Sequence, residues 1–363
     1  MRVVLAPDSF KGTIDAPDAA RALADGWRSV RPGDELLARP MADGGEGTLA
    51  AVAAATPGAV LHEVPGCTGP DGRPVTGRYA LLPDGTALVE LAVASGLPLM
   101  ARPAPLTATT RGTGETVAAA LDAGARRLIV TLGGSASTDG GAGLLSALGL
   151  RLTDADGRDL PDGGSSLTAA ARVDRGALRP APAGGVLLLT DVTNPLLGPD
   201  GAAAVYGPQK GADPAQVDLL DRGLARLADL LGGDPEQPGA GAAGGTGYGL
   251  AAAWGAAIAP GAAAVADLLG LDAALAGADL VVTGEGRFDA TSLRGKAVGE
   301  VLTRAGRHGV RAAVVAGESA EPGAALTLTA LAGSAHAART DPARWLHAAG
   351  AELAARAARA ADR

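Results

Sequence analysis

Cysteine occurs once in these 363 residues, at Cys67. One thiol excludes a disulfide framework and a cysteine-rich metal site, and it fits a reducing cytoplasm. Lysine occurs only at Lys11, Lys210 and Lys296, asparagine only at Asn194, and phenylalanine only at Phe10 and Phe288. Long apolar runs are missing as well. Residues 1–6 are too short a run for a secretory signal, and Asp8 and Lys11 follow them. The longest uncharged stretch, residues 238–266, is broken by Gly244, Gly245, Gly247, Gly249, Gly255, Pro260 and Gly261. It reads as buried loop and helix and not as a membrane span.

What is present is an Ala/Gly/Arg/Leu background, 47% hydrophobic and 19% charged, which is enough to bury a sizeable core. The net charge of −8 excludes a general nucleic-acid role but leaves room for a local basic pocket. The six rare residues all fall in Gly-rich polar turns. A compact ammonium is wanted in such turns, where a planar guanidinium would not serve; chance clustering is the bland alternative.

Residues 3–7 read as a strand that stops at Pro7-Asp8-Ser9 before Lys11 and Gly12. Ala20, Leu23, Ala24 and Trp27 recur at helical spacing, and Asp15 or Ala16 with Pro17 opens that helix. A strand that stops at a polar turn before a helix is where open α/β sheets bind ligands. Residues 35–40 read as a second strand, ending in Met41-Ala42-Asp43-Gly44-Gly45-Glu46-Gly47-Thr48. From 59 to 99 short β-like runs separated by Pro-Asp-Gly turns predict antiparallel structure and entry into another domain. Buried strands are expected at 128–132 and 186–190, and an amphipathic helix at 214–231. Residues 232–249 are expected to be loop, rich as they are in Gly and Pro. The first pattern resumes near Asp279, with strands at 280–283, 312–316 and 326–331 and a closing helix at 342–361.

The fold class is therefore α/β with two α/β domains. Two N-terminal and three C-terminal strands make a discontinuous parallel sheet, residues 1–62 and 275–363. A mixed α/β domain, residues 63–274, is inserted between them. Two sequential domains split near residue 150 are the alternative.

Four turns carry the chemistry, each with a bland counterpart. Asp191-Val192-Thr193-Asn194-Pro195 ends an apolar strand, so Asp191 could hold Mg²⁺ or accept a proton; it could equally cap the next turn. Residues 133–143, with Gly133, Gly134, Ser135 and Asp139, offer backbone N–H groups to an anion, or form a plain tight connection. Gly284-Glu285-Gly286-Arg287-Phe288-Asp289 with Gly295-Lys296 brings acids and cations to a strand end, or is a surface ion-pair cluster. Asp43 and Glu46 could reach a metal or merely begin a helix. His62, His308, His336 and His347 lie outside all of these turns, so a Ser-His-Asp triad and a histidine metal site are not expected. Carboxylates, lysines and backbone amides remain, an inventory that matches phosphoryl transfer.

Ala6-Pro7-Asp8-Ser9-Phe10-Lys11-Gly12, Pro40-Met41-Ala42-Asp43-Gly44-Gly45-Glu46-Gly47-Thr48, the 133–143 loop, Asp191-Val192-Thr193-Asn194-Pro195-Leu196, Gly207-Pro208-Gln209-Lys210-Gly211-Ala212 and Gly284-Glu285-Gly286-Arg287 closely resemble the bacterial glycerate kinases of the glyoxylate and glucarate pathways, of the glycerate 2-kinase type. The match runs in order over nearly the whole chain. It departs at Ala290-Thr291-Ser292, where the family usually shows Gln before the Ser/Thr. The resemblance implies ATP-dependent phosphorylation of D-glycerate with Mg²⁺, 2-phosphoglycerate being favoured as the product. It also implies a Rossmann- or flavodoxin-like discontinuous domain, a site in the cleft, and a cytoplasmic monomer or homodimer without nucleic-acid or membrane partners. Asp191, Lys11 and Lys210 are the expected catalytic residues. Asp8, Ser9, Gly133, Gly134, Ser135, Asp139, Asn194, Gly284, Arg287, Asp289 and Lys296 are expected to bind substrate or nucleotide, and Asp43, Glu46 and Glu285 the metal. A kinase for another small hydroxy acid or sugar acid, or a non-catalytic hydroxy-acid-binding protein, are the alternatives.

Overall fold

The strands in chain order are β1 (Arg2–Pro7), β2 (Glu35–Ala38), β3 (Val60–Thr68), β4 (Pro74–Leu81), β5 (Thr86–Glu90), β6 (Arg127–Thr131), β7 (Arg151–Thr153), β8 (Arg172–Asp174), β9 (Val186–Thr190), β10 (Ala257–Pro260), β11 (Leu280–Phe288), β12 (Arg311–Ser319) and β13 (Leu326–Thr327). They come from a computed structural model that describes residues 1–293, 295–321 and 323–361. The chain divides into two compact α/β units, residues 1–43, 50–57 and 261–363 in one and 44–49 and 58–260 in the other.

In the first unit five parallel strands pair in the order β13-β12-β11-β1-β2. Helices cover a parallel sheet on both faces, so its strands are apolar throughout; Val3, Val4, Leu5 and Ala6 are accordingly buried. The helix Ala16–Val30 starts where the Asp15 side chain accepts the Asp18 amide with Pro in the first turn. It buries Ala20, Leu23, Ala24 and Trp27 against the core. Asp34 ties the returning chain down: it accepts from Trp27 Nε1 (3.0 Å), Arg31 Nε (2.6 Å) and the Met1 amine (2.7 Å). The strand connections diverge on either side of the β1/β11 pair. A doubly wound sheet opens a crevice at that point, beyond the carboxyl ends of its strands.

In the second unit the order is β10-β9-β6-β5-β4-β3. β10, β9, β6 and β5 run parallel, and β4 and β3 add an antiparallel edge. All five residues of β5 are buried. The β3/β4 register is irregular between Val64 and Cys67, around Pro65 and Gly66. Such a kink blunts an edge strand against further pairing.

Two elements differ from the sequence reading. The segment expected as loop at 232–249 contains the start of a helix, Ala242–Trp254, most of whose first turns are buried. Its start is left-handed at Ala243, Gly244 and Gly245, so regular helix begins only beyond them; the glycines weaken the helix drive that the alanines supply. The strand expected at 326–331 stops after Leu326–Thr327, because Thr327 accepts the Ala330 amide and caps a helix, Leu328–Ala332. Among the described residues no helix is long and apolar enough to cross a membrane.

Candidate active site

The turn after β1 is locked to β11 by the Asp8 amide, which donates to the Gly284 carbonyl (2.8 Å). Phe10 is buried beneath it and anchors the exposed Lys11. The Met41 amide donates to the Pro7 carbonyl (2.8 Å), which carries Asp43 to the same strand end. Asp8, Ser9, Lys11, Asp43, Glu285, Arg287 and Lys296 line one pocket of about 370 Å³. Lys11 Nζ stands 3.9 Å from Asp43 Oδ2. Asp8, enclosed by protein on most sides, is pushed up to about 7: burial is the main cause and the Asp43 charge the next, with the Ser9 amide and Lys11 opposing. Burial also raises Glu285 against the pull of Ser292 and Lys296. One of its oxygens, Oε1, is buried with no hydrogen-bond partner.

At the rim, Asp289 accepts from the Thr291 amide (2.8 Å) and hydroxyl (2.6 Å), which hold it below the usual carboxylate range. Lys296 Nζ donates to that hydroxyl (3.3 Å), and Arg287 Nε lies 3.7 Å from Asp289.

The second unit builds its own pocket beyond β6 and β9. Gly133 lies against the 44–47 turn so closely that a Cβ there would stand 2.5 Å from Gly45 Cα. Glu90, at the end of β5, accepts the Gly47 amide (3.0 Å) and the Leu49 amide (2.9 Å) and clamps the turn that carries Glu46. Lys210, in the single turn Pro208–Lys210, is 3% exposed and donates from Nζ to the Ser137 carbonyl. Burial pushes its pKa down to about 8, with the Asp139 charge opposing. Glu46, Gly133, Gly134, Ser135, Asp191 and Lys210 line a cavity of about 410 Å³, which Tyr206 and Gln209 help to close.

Four residues expected to bind ligand line neither pocket. Asp139 is wholly buried and accepts from the Thr110 amide (2.9 Å) and hydroxyl (2.8 Å) and from the Gly141 (3.1 Å) and Gly143 (3.2 Å) amides. Burial still outweighs these bonds and raises it. Asn194 accepts from the Tyr206 hydroxyl (2.6 Å) and donates to the Asp200 carbonyl (2.8 Å), so it orients the wall. Gly284 is the strand partner of Pro7 and Val315, and Asp289 shapes its own turn. Of the expected metal ligands, Asp43 and Glu285 share the first pocket and Glu46 lines the second. Sequence reasoning missed Glu90; an acid ending the otherwise apolar Thr86–Glu90 was its signal.

The sequence profile of the Glycerate kinase family matches residues 3–362. A glycerate kinase from Bacillus subtilis (strain 168) is 44% identical over 305 residues, 82% of this chain and 79% of the relative. The glycerate 2-kinase of Escherichia coli (strain K12) is 43% identical over 307 residues, 82% of this chain and 80% of the relative. A crystal structure from Salmonella typhimurium LT2, provisionally assigned as glycerate kinase 2, superposes with a TM-score of 0.88 at 38% identity over 100% of both chains. With a family match from end to end and relatives this similar, the chain belongs to the glycerate kinase family and is a phosphotransferase.

Proposed function

We propose that this chain transfers the γ-phosphoryl group of ATP to a hydroxyl of D-glycerate, giving ADP and 2-phosphoglycerate. The observation that carries this reading is the gathering of scarce lysines and carboxylates at the carboxyl ends of parallel strands. Phosphoryl transfer asks for positioning and charge neutralisation, which these groups supply. The names of the relatives from B. subtilis and E. coli support the substrate, and the second of them the position on it.

Asp191 accepts the proton of the attacking hydroxyl on a carboxylate oxygen. It is exposed and lines the second pocket, so a substrate can reach it. Lys11 and Lys210 offset charge on the transferring group. The amides of Gly133, Gly134 and Ser135 hold anionic oxygens, and Arg287 offers a planar fork to a carboxylate. Asp139 and Asn194 support the walls rather than touch the ligand.

Mg²⁺ fits the first pocket. Its donors are hard carboxylate oxygens, Asp8 is raised first by burial and then by the neighbouring acid, and Glu285 keeps a buried oxygen without a partner. Among the described residues no group of three or more acids, histidines or cysteines is arranged to hold a metal alone. Asp43 and Glu285 would therefore hold the ion together with phosphate oxygens and water, as is usual for Mg²⁺. The ion would neutralise phosphate charge when bound.

An ADP-release assay with D-glycerate and a panel of hydroxy and sugar acids tests the proposal, with ³¹P–¹³C coupling locating the phosphate on the product. ADP release strongest with D-glycerate and a label on C2 are expected. Preference for another acid, or binding of D-glycerate without ADP release, overturns it.

A further inference from the structure

Ala243 has φ +52° and ψ +43° and is the only non-glycine residue with a positive φ among the described residues. Gly244 (φ +64°) and Gly245 (φ +90°) continue the left-handed run. An L-residue avoids this region because its Cβ crowds the following carbonyl, so such a residue persists only where its surroundings over-determine it. Those surroundings are the 137–140 part of the Gly-rich loop. The Gly140 amide donates to the Gly244 carbonyl (3.0 Å). A Cβ on Gly244 would fall 2.1 Å from the Ser137 carbonyl oxygen and 2.7 Å from Thr138 Cα. The same Ser137 oxygen accepts from Lys210 Nζ. The charge that acts on that ammonium is Asp139, from the loop itself; Asp191 and Glu46 line the same pocket.

We propose that the left-handed turn at 243–245 positions Lys210. Its backbone presses the Ser137 carbonyl into place, and that carbonyl fixes the ammonium in the wall of the pocket. Gly244 is the residue on which this depends, since any side chain there displaces the carbonyl. The link to turnover rests on the proposed part of Lys210 in phosphoryl transfer; the link to Lys210 itself does not.

With three lysines in the chain, the effect can be read directly. The full-length protein is treated with limiting N-acetoxysuccinimide, and acylation of each lysine is followed by peptide mass spectrometry. Lys11 and Lys296 serve as internal references. In Gly244→Ala, Lys210 acylation rises about tenfold against Lys11, as expected for a buried amine whose surroundings open locally. Turnover with D-glycerate falls about tenfold while KM changes less than about threefold. A folded Gly244→Ala with Lys210 acylated at the wild-type rate overturns the proposal.

If that variant does not fold, Ala243 supplies a paired test. Valine resists the left-handed conformation and glycine accepts it. Ala243→Val is expected to expose Lys210 to the reagent, and Ala243→Gly to leave it as slow as in the wild type. Equal acylation in the two overturns the proposal. Acylation needs no turnover, so a chain that fails to phosphorylate D-glycerate refutes the functional reading and leaves this one standing or falling on its own result.

Discussion

The two pockets carry the same kinds of charge in opposite states. In the first, the Lys11 side chain is 75% exposed, Asp8 is raised by burial and then by its acidic neighbour, and Glu285 keeps an oxygen without a partner. At the second, Lys210 in the wall and Asp139, which belongs to the neighbouring loop and does not line the pocket, are almost entirely buried and are bonded to backbone groups of their own unit. Charge that the chain leaves unmet marks a place where a ligand or ion completes the structure. Charge that the chain meets marks scaffold, or a group held ready. Burying an ionised group is costly without such bonds, and the amides and carbonyl that these two residues engage offset that cost.

The comparison sharpens most at Asp191. Asp191→Asn is expected to lower turnover about 10³-fold while calorimetry finds ADP binding near the wild type. Unchanged turnover would remove Asp191 from the proposed chemistry. The two lysines come next. Lys210→Met is expected to lower kcat about 10²-fold without lowering the melting temperature, because a desolvated ammonium is removed. Lys11→Met is also expected to lower activity, with the melting temperature shifted less than about 1 °C, as befits an exposed side chain. A large loss of stability in Lys11→Met would break the contrast.

The pH dependence separates the same two regimes. Activity is expected to fall as pH rises through about 8, where Lys210 loses its proton. Stability runs the other way. The folded value of about 8 lies below the ordinary 10.5, so the unfolded chain binds more protons between them and the contribution of this lysine grows with pH across that window. Denaturant titrations of the wild type and Lys210→Met would show the difference in slope; parallel slopes would count against a depressed lysine.

The smallest effect is expected at Asp8, measured without nucleotide or Mg²⁺. Its folded value of about 7 lies above the ordinary 3.8, so the penalty for ionising it is absent below 3.8 and complete once pH has risen through about 7. Asp8→Asn should raise the melting temperature by roughly 2–4 °C at about pH 8 and leave it unchanged at about pH 3. A variant less stable than the wild type at the higher pH would place the unmet charge elsewhere.

Much of this was legible before any coordinates. Apolar runs ending at polar turns marked β1, β6, β9 and β11, and the rarity of lysine pointed to Lys11, Lys210 and Lys296. Burial was not legible. Asp139 reads as a ligand-binding acid in a Gly-rich loop, yet it spends its oxygens on Thr110, Gly141 and Gly143. Glu90 was missed because its partners, Gly47 and Leu49, lie 43 and 41 residues away. The left-handed start of Ala242–Trp254 was read as loop, since nothing local distinguishes a Gly-Ala helix packed into a core from a flexible linker.

The position of β1 has a consequence for biosynthesis. It lies inside its sheet, with β2 on one side and β11 on the other, and β11 begins only at Leu280. A ribosome therefore releases β1 and β2 long before their third neighbour exists, and it completes the second unit in the meantime. Throughout that interval the nascent amino-terminal strands present an open edge. The native pairing of β1 is thus completed only once the carboxyl-terminal quarter has emerged.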